Sequence, residues 1–395
     1  MTSPLQGVLT LNAGSSSLKF ALYAAQGDRP LLTGQADRIG PDGTLSLRAS
    51  NEESPQPAAG DLTTHASALR VILETVRLHN PSLQLLAIGH RVVHGGDRYT
   101  APETVTPEVM HYLSSLEPFA PLHQPHNLAG IRMALEAFPE VPQVACFDTA
   151  FHRGHPFVND SFALPYRYFE QGVRRYGFHG LSYAYISDHL RERAPRLAEG
   201  KVVVAHLGNG ASMCGISNGR SVASTMGFSA LDGLPMGTRC GQLDPGVLLY
   251  MLDQEKLSSE QIRHILYSES GLLGLSNGLS NDMRTLEASD TPEASRAIDY
   301  FVFRVQRELG AMAAAMGGID ALVFCGGIGE HSQLIRHRVC ERMGWMGIEL
   351  DHGLNQAHAE VISSGLARTT VMVIPTQEEL VIARAARQAA HISKD

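Results

Sequence analysis

The chain has 395 residues, 44% of them hydrophobic and 18% charged, with a formal net charge of −8. That length exceeds one ordinary core and predicts two domains, the composition is that of a soluble globule, and the acidic balance speaks against a general nucleic-acid binder, which is usually basic. Five scattered cysteines with no C-x-x-C pair argue for reduced thiols; with no signal peptide and no stretch of membrane-spanning length, the expected location is the cytoplasm.

The opening stretch VLTLNAGSSSLKFAL, residues 8–22, reads as strand, turn and strand. Val8, Leu9 and Leu11, then Leu18, Phe20 and Leu22, are apolar with short polar interruptions. The middle, Asn12 to Ser17, carries more serine than a turn needs. A turn that points backbone N–H groups and hydroxyls outward beside Lys19 can hold phosphate. The same stretch also reads as an ordinary hairpin with a polar tip. A polar, Pro-rich loop follows at 50–61, and a helix is expected over 62–79 with Leu69, Ile72, Leu73 and Val76 on one face. Leu85–Ile88 and Val144–Phe147 read as strands ending in Gly89-His90-Arg91 and in Asp148. A polar run at 187–201 leads to a strand at Val202–Ala205. Charged helical stretches are expected at 253–268 and 292–316, buried strands at 321–325 and 371–374, and a terminal helix at 378–391. The alternation favours an α/β class.

The stretch from Val202 through His206-Leu207-Gly208-Asn209-Gly210 to Ile216 repeats the opening design nearly half a chain length later, which suggests two related halves. A third small-residue turn, Gly326-Gly327-Ile328-Gly329-Glu330, follows a buried strand and permits close approach of a ligand to the backbone. The chain has no G-x-x-x-x-G-K-[ST], and no G-x-G-x-x-G opens a helix after the first strand, so Walker and Rossmann nucleotide sites are excluded. Polar groups gather at four further strand ends: GHRVVHGG at 89–96, FDTAFH at 147–152, RYGFHG at 175–180 and MGTRCG at 236–241. A lone arginine commonly bridges loops, and a lone histidine is commonly a satisfied hydrogen-bonding group. Two Gly-flanked arginines, a Gly-flanked histidine and three phosphate-type turns together suit phosphoryl transfer, where catalysis is mostly positioning and electrostatic stabilisation.

These motifs, with SNDMR and PT-x-EEL, make the chain resemble the acetate kinases, of the acetate and sugar kinase, Hsp70 and actin superfamily, nearly end to end. The resemblance implies two actin-like, ribonuclease H-like domains, each a mixed five-stranded sheet with helices, closing over a nucleotide cleft. The boundaries would be 1–148 plus 378–395 for the acyl-substrate domain and 149–377 for the nucleotide domain. It implies Arg91, Asp148, His179 and Arg239 as the catalytic group, and Arg91, Val93, Leu122 and Phe178 around the acyl group. Ser15, Ser17 and Lys19, His206 to Gly210 including Leu207 and Asn209, Asp282, Met283 and Arg284, and Gly326 to Glu330 would contact the nucleotide. Asn12 and Glu378 would hold magnesium, or manganese in its place. ATP or ADP and acetate or acetyl phosphate are the implied substrates, and a homodimer is the implied assembly.

Acetate is ionised at neutral pH, so attack by its carboxylate on phosphorus needs no general base. His179 then reads as a hydrogen-bond donor to the transferring phosphoryl group, with Arg91 and Arg239 neutralising two mutually repelling anions. Asp148 is expected either to align the arginines or to orient the magnesium shell. The sequence departs from the family where T-P-L-E-G becomes Ser229-Ala230-Leu231-Asp232-Gly233. Ala230 in place of proline implies a pocket larger by roughly two methylenes, and methylene discrimination is worth about 1–3 kcal/mol. Propionate is thus an alternative substrate, although Val93 matches the acetate enzymes. FHRGHP at 151–156 and Gln242 also depart from the pattern without touching the catalytic set. A sugar kinase would want several Asp, Asn and Glu side chains for hydroxyls, and a nucleotide switch of the Hsp70 or actin kind would want an appended domain or polymerising loops.

Overall fold

The computed structural model describes residues 5–14, 17–50 and 56–390. The chain divides into two compact units, Met1–Phe151 with Gln377–Asp395 (unit 1) and His152–Thr376 (unit 2).

Unit 1 is built on strands β1 (Leu5–Ala13), β2 (Ser17–Ala24), β3 (Pro30–Asp37), β4 (Thr44–Ala49), β5 (Gln56–Ala58), β6 (Leu83–Val92), β7 (Glu103–Thr104) and β8 (Gln143–Phe147), in the spatial order β5-β4-β3-β2-β1-β6-β8-β7. Unit 2 is built on β9 (Lys201–Leu207), β10 (Ala211–Ser217), β11 (Arg220–Ser224), β12 (Ala321–Cys325) and β13 (Thr370–Val373), in the order β11-β10-β9-β12-β13. The α/β class with a mixed sheet in each half is as expected. The second sheet has the five expected strands; the first has eight. Its central five, β3-β2-β1-β6-β8, repeat the second sheet in order and sense. β1 runs antiparallel to β2 and parallel to β6, as β9 does to β10 and β12. The outer pairs match too, β2–β3 with β10–β11 and β6–β8 with β12–β13. The three extra strands are edge additions. β5 lies inside the stretch read as loop, where its backbone pairs with β4 and its side chains give no alternating signal.

Each sheet buries apolar faces under helices. The helix His65–His79 starts at Thr64, whose hydroxyl accepts from Ser67 N in a capping box, and it buries Leu69, Ile72 and Val76. The terminal helix Glu378–Ala389 packs on β1, β6 and β8 through Leu380, Ile382, Ala383 and Ala386. In unit 2, β9 and β12 are buried almost throughout, and the helix Pro292–Met316 lays Phe301, Val305 and Leu309 inward. At about 1.5–3 kcal/mol per fully buried large apolar side chain, such strands fix the register.

Three elements differ from expectation. The polar run at 187–201 is mostly helix, because Gly180–Arg193 buries Tyr183, Ile186 and Leu190 while its charged residues face out. The helix expected over 253–268 starts later, at Ser259 with Ser258 as its cap, and continues past His264 as a wider π-helical turn, Ile265–Glu269; the preceding helix, Pro245–Asp253, ends where the expected one begins. The turn at Gly326 is the first turn of a short helix, Gly326–His331. Among the described residues, no helix is long and apolar enough to cross a membrane. All five cysteines are free.

Candidate active site

In unit 1 the site grows from the ends of parallel strands. β6 and β8 pair with Arg91 opposite Cys146 and Val92 opposite Phe147, so Asp148 emerges beside the end of β6. The Arg91 guanidinium grips it with two bonds, Nε donating to Oδ1 at 3.0 Å and Nη2 to Oδ2 at 2.7 Å. The Asp148 side chain is 2% exposed and that of Arg91 21%. The third Arg91 nitrogen, Nη1, lies 3.9 Å from the Glu378 carboxylate at the start of the terminal helix. Burial works against the Arg91 charge, and the Asp148 and Glu378 carboxylates outweigh it, so its pKa is raised. Burial pushes the Glu378 carboxyl upward; Arg91 draws it down, and Asp148 and Glu379 push it up again, for a net rise. Of the two roles expected for Asp148, alignment of an arginine is the one with geometry: it orients Arg91.

Asn12 faces Lys19 across the β1–β2 ladder, and Lys19 lies close enough to lower the Glu378 pKa. The turn between these strands closes with Gly14 N donating to Ser17 O at 2.8 Å. Ser15 lies outside the described residues. Val93 is buried and Leu122 is exposed. Two residues that the sequence reading passed over tie this end of the sheet together. Asn127 accepts from Val93 N at 3.0 Å and donates to Ala13 O at 2.6 Å, joining the ends of β6 and β1. Gln124 accepts from His94 N at 3.1 Å and donates to His94 O at 2.9 Å. The signal was present: two amides at helical spacing in a segment that buries Leu128 and Ile131.

Are the metal candidates chemically suitable? Asn12 and Glu378 offer hard oxygen donors, and the upward push on Glu378 from neighbouring carboxylates is what a divalent cation relieves. Among the described residues, no group of three or more His, Cys, Asp and Glu side chains could hold a metal.

In unit 2 the candidates gather around β9 and β10. His179 caps the helix Gly180–Arg193 with φ of +57°, a left-handed conformation that costs on the order of 1–3 kcal/mol outside glycine. The chain reaches it through Gly177, where φ is +74° and an added Cβ would lie 2.6 Å from the His152 ring. His152 Nε2 donates to Phe178 O at 2.9 Å, and Phe178 itself is buried. The His179 ring stacks on that of His206, with centroids 4.3 Å apart and planes 19° apart. His179 Nδ1 lies 2.9 Å from Ser212 Oγ, and His206 Nδ1 lies 2.8 Å from Ser182 Oγ.

A Cβ added at Gly210 would lie 2.7 Å from Arg239 Nη2 and 3.3 Å from His179 Nε2, so both side chains reach the Gly208–Gly210 turn. Gly208 N donates to Gly210 O at 3.1 Å to close that turn, and Asn209 is exposed at its tip. Arg239 Nη1 donates to Ala230 O at 2.7 Å. The residue that departs from the family pattern therefore anchors Arg239 through its carbonyl, which any residue supplies.

The remaining loop candidates divide by what their side chains already do. Leu207 and Met283 are buried. Asp282 caps its helix and holds Arg284, with Arg284 Nη2 donating to Oδ2 at 2.6 Å. Glu330 accepts from Gly326 N at 2.9 Å and from Thr376 N at 3.2 Å, stapling the turn in which it was read as a contact. Gly327 and Ile328 are not fully buried; Gly326 and Gly329 are.

Comparison with known proteins gives a consistent picture. The model of the acetokinase family matches residues 7–384. An acetate kinase of Methylocella silvestris is 59% identical over 389 residues, which is 95% of this chain and 96% of the relative. A crystal structure of a propionate kinase from Francisella tularensis superposes with a TM-score of 0.91 at 34% identity, covering 97% of this chain and 100% of that one. A crystal structure of Porphyromonas gingivalis acetate kinase gives a TM-score of 0.89 at 36% identity, covering 97% of this chain and 99% of that one.

Proposed function

The chain belongs to the acetokinase family, and from that membership we propose that it is a phosphotransferase that moves the γ-phosphoryl group of ATP reversibly onto the carboxylate of acetate. The observation that carries the activity is the end-to-end likeness to the Methylocella acetate kinase.

The roles follow from charge. Acetate brings its own negative nucleophile, so the protein must lower repulsion between two anions rather than remove a proton. Arg91 binds the carboxylate: Asp148 fixes its fork, and burial keeps it from being screened. Arg239 and His179 Nε2 donate to the equatorial oxygens of the transferring group, with the Gly208–Gly210 turn leaving room beside them. Ser17, Lys19 and the turns at 206–210, 282–284 and 326–330 contact the nucleotide. Val93, Leu122 and Phe178 line the acyl pocket. Asn12 and Glu378 are the residues that would hold magnesium, or manganese. When bound, that cation would neutralise charge on the phosphate oxygens.

The protein is proposed to act in the cytoplasm as a homodimer. The helix Pro245–Asp253 supports the second point. It is almost wholly apolar and buries no residue, with Leu249 59% and Tyr250 55% exposed. Exposed Leu243, Val247 and Leu252 extend this face. A patch of this kind marks an interaction surface, and a second copy is the partner we propose.

Propionate is the second reading, favoured by the small side chain at Ala230. The test is a turnover panel with Mg-ATP and acetate, propionate, butyrate or glycerol, following ADP release. Acetate is expected to give the highest kcat/KM. Propionate equal or better would move the substrate assignment and keep the mechanism. No stimulation by any carboxylate would refute the proposal.

A further inference from the structure

The His179 imidazole is useful as a donor to phosphoryl oxygen only if its Nε2 carries a proton, and nothing in the ring itself guarantees that. A neutral imidazole holds one proton, and the partner on the other nitrogen decides where it sits. That partner is Ser212 Oγ, 2.9 Å from Nδ1. Ser212 in turn bonds the phenolic oxygen of Tyr183. Ser212 and Tyr183 are both fully buried.

We propose that Tyr183 and Ser212 form a relay that sets the tautomer of His179, and that both are positioning residues for phosphoryl transfer. The proposal rests on the reading of His179 given above. The direction of the relay follows from acidity. A phenol, with an ordinary pKa near 10, is a better donor than an aliphatic alcohol. Tyr183 therefore donates to Ser212 Oγ, and the one Ser212 hydroxyl proton is left to point at Nδ1. Nδ1 becomes the acceptor, and the ring proton stays on Nε2, which lies 3.3 Å from where a Cβ at Gly210 would be, a point 2.7 Å from Arg239 Nη2. Buried hydrogen-bond chains of this kind hold their geometry because any break leaves an unsatisfied polar group.

The surroundings are arranged to keep the ring in place. Ser212 lies opposite His206 in the β9–β10 ladder, and the His206 ring stacks on His179. His206 repeats the arrangement, with its own Nδ1 on the buried Ser182 hydroxyl. Tyr183 is four residues past His179, its N–H donating to His179 O at 3.1 Å, so the imidazole and the phenol rise from adjacent turns of one helix, and Ser212 meets both from β10. The His152 ring packs edge-on against Tyr183 and holds the carbonyl of Phe178.

The experiment uses the full chain labelled with 15N-histidine, with His179→Gln identifying the His179 signals. The expected spectrum has the proton on Nε2 in the wild type and a mixture of tautomers in Ser212→Ala and Tyr183→Phe. Kinetically, each variant is expected to lower kcat by about 5–10-fold, the worth of one hydrogen bond, with both KM values within about twofold. Ser212→Thr, which keeps a hydroxyl, is expected to recover most of the loss. In a His179→Ala background, adding Ser212→Ala should change nothing further. A wild-type proton on Nδ1 would overturn the relay alone. A full additional loss from Ser212→Ala in the absence of His179 would overturn it as well, because the serine would then be acting on the fold. Wild-type turnover in His179→Ala would instead sink the reading of His179, and the relay's part in turnover with it.

Discussion

At the ends of one repeated five-strand design, the two units place groups of different kinds. Unit 1 gathers full charges: Arg91 clasped by Asp148, with Glu378 at 3.9 Å. Unit 2 gathers hydrogen-bonding side chains, namely His179, His206, Ser182, Ser212 and Tyr183, with Arg239 tied to a backbone carbonyl. The difference follows from where the groups stand. Asp148 and Arg91 sit at the ends of neighbouring parallel strands, where two buried ions must pair directly. The unit 2 groups sit along a hairpin and a helix start, where the hydroxyls of Ser182 and Tyr183 on the helix and of Ser212 on β10 reach the two rings and each other. The Arg91 cluster is held by charge and the His179 cluster by hydrogen bonds, so the two should fail in different ways.

The largest expected effect tests this directly. Arg91→Ala and Arg239→Ala should each lower kcat by about 10²–10³-fold or more, the worth of donors aimed at transition-state charge. Stability should separate them. Removing Arg91 leaves Asp148 buried and unpaired by its fork, at a cost of about 3–5 kcal/mol. Removing Arg239 releases a neutral carbonyl, at roughly 1 kcal/mol. Urea melts beside turnover assays measure both. Equal destabilisation would break the contrast, and near-wild-type kcat in either variant would remove that arginine from the catalytic set. Asp148→Asn sharpens it: the side chain keeps its shape and loses its charge. We expect kcat to fall at least about tenfold with a smaller stability loss than in Arg91→Ala. Unchanged turnover would mean that Arg91 needs no orienting partner.

The same contrast explains what the sequence disclosed. Unit 1 chemistry was legible because Arg91 and Asp148 are charged residues placed next to glycine or at a strand end, where ordinary packing gives no reason for them. The α/β class and the strand–turn–strand repeat were legible because β1, β2, β9 and β10 carry strong apolar patterns. Ser212 and Tyr183 were not. A serine on a strand and a tyrosine on a helix look like packing residues until the fold brings them together. Ala230 was read as a pocket wall from its side chain, whereas its contact to Arg239 is through a backbone carbonyl that no side chain announces. The helix at 180–193 was obscured for a related reason, since its buried face is interrupted by Ser182 and Ser187.

The next effect concerns the surface. Leu249→Asp places a charge in the apolar face of the helix Pro245–Asp253, and light scattering is expected to report a monomer in place of a dimer. Leu78→Asp is the control in unit 1. Leu78 is 78% exposed on the polar side of its helix, and a charge there should leave the mass unchanged. A monomeric wild type, or a dimeric Leu249→Asp, would remove unit 2 as the assembling unit.

The smallest expected effect is a difference in acid sensitivity. In unit 1, burial lowers the pKa of His90 to about 4, against a weaker upward pull from its bond to Gln143. In unit 2, burial lowers His152 to about 3, helped by His155 and Arg153, and burial and Arg153 lower His155 to about 4. A base whose pKa is held down in the fold binds its proton more readily once unfolded. Its contribution to stability is complete above the ordinary value of 6.5 and is lost as pH falls toward the folded value. Each such histidine removes about 1.4 kcal/mol per pH unit across that window. Between pH 7 and pH 5, unit 2 carries two large shifts close together, and unit 1 carries one, beside the smaller downward shift that burial and His65 give to His126. Hydrogen exchange, corrected for intrinsic rates, should therefore lose more protection in β9 and β10 than in β1 and β6 at pH 5. In His155→Gln, which removes one of the two groups, the gap should largely close. Equal losses in the two sheets would mean that the units unfold as one, and that the contrast between them ends at their active groups.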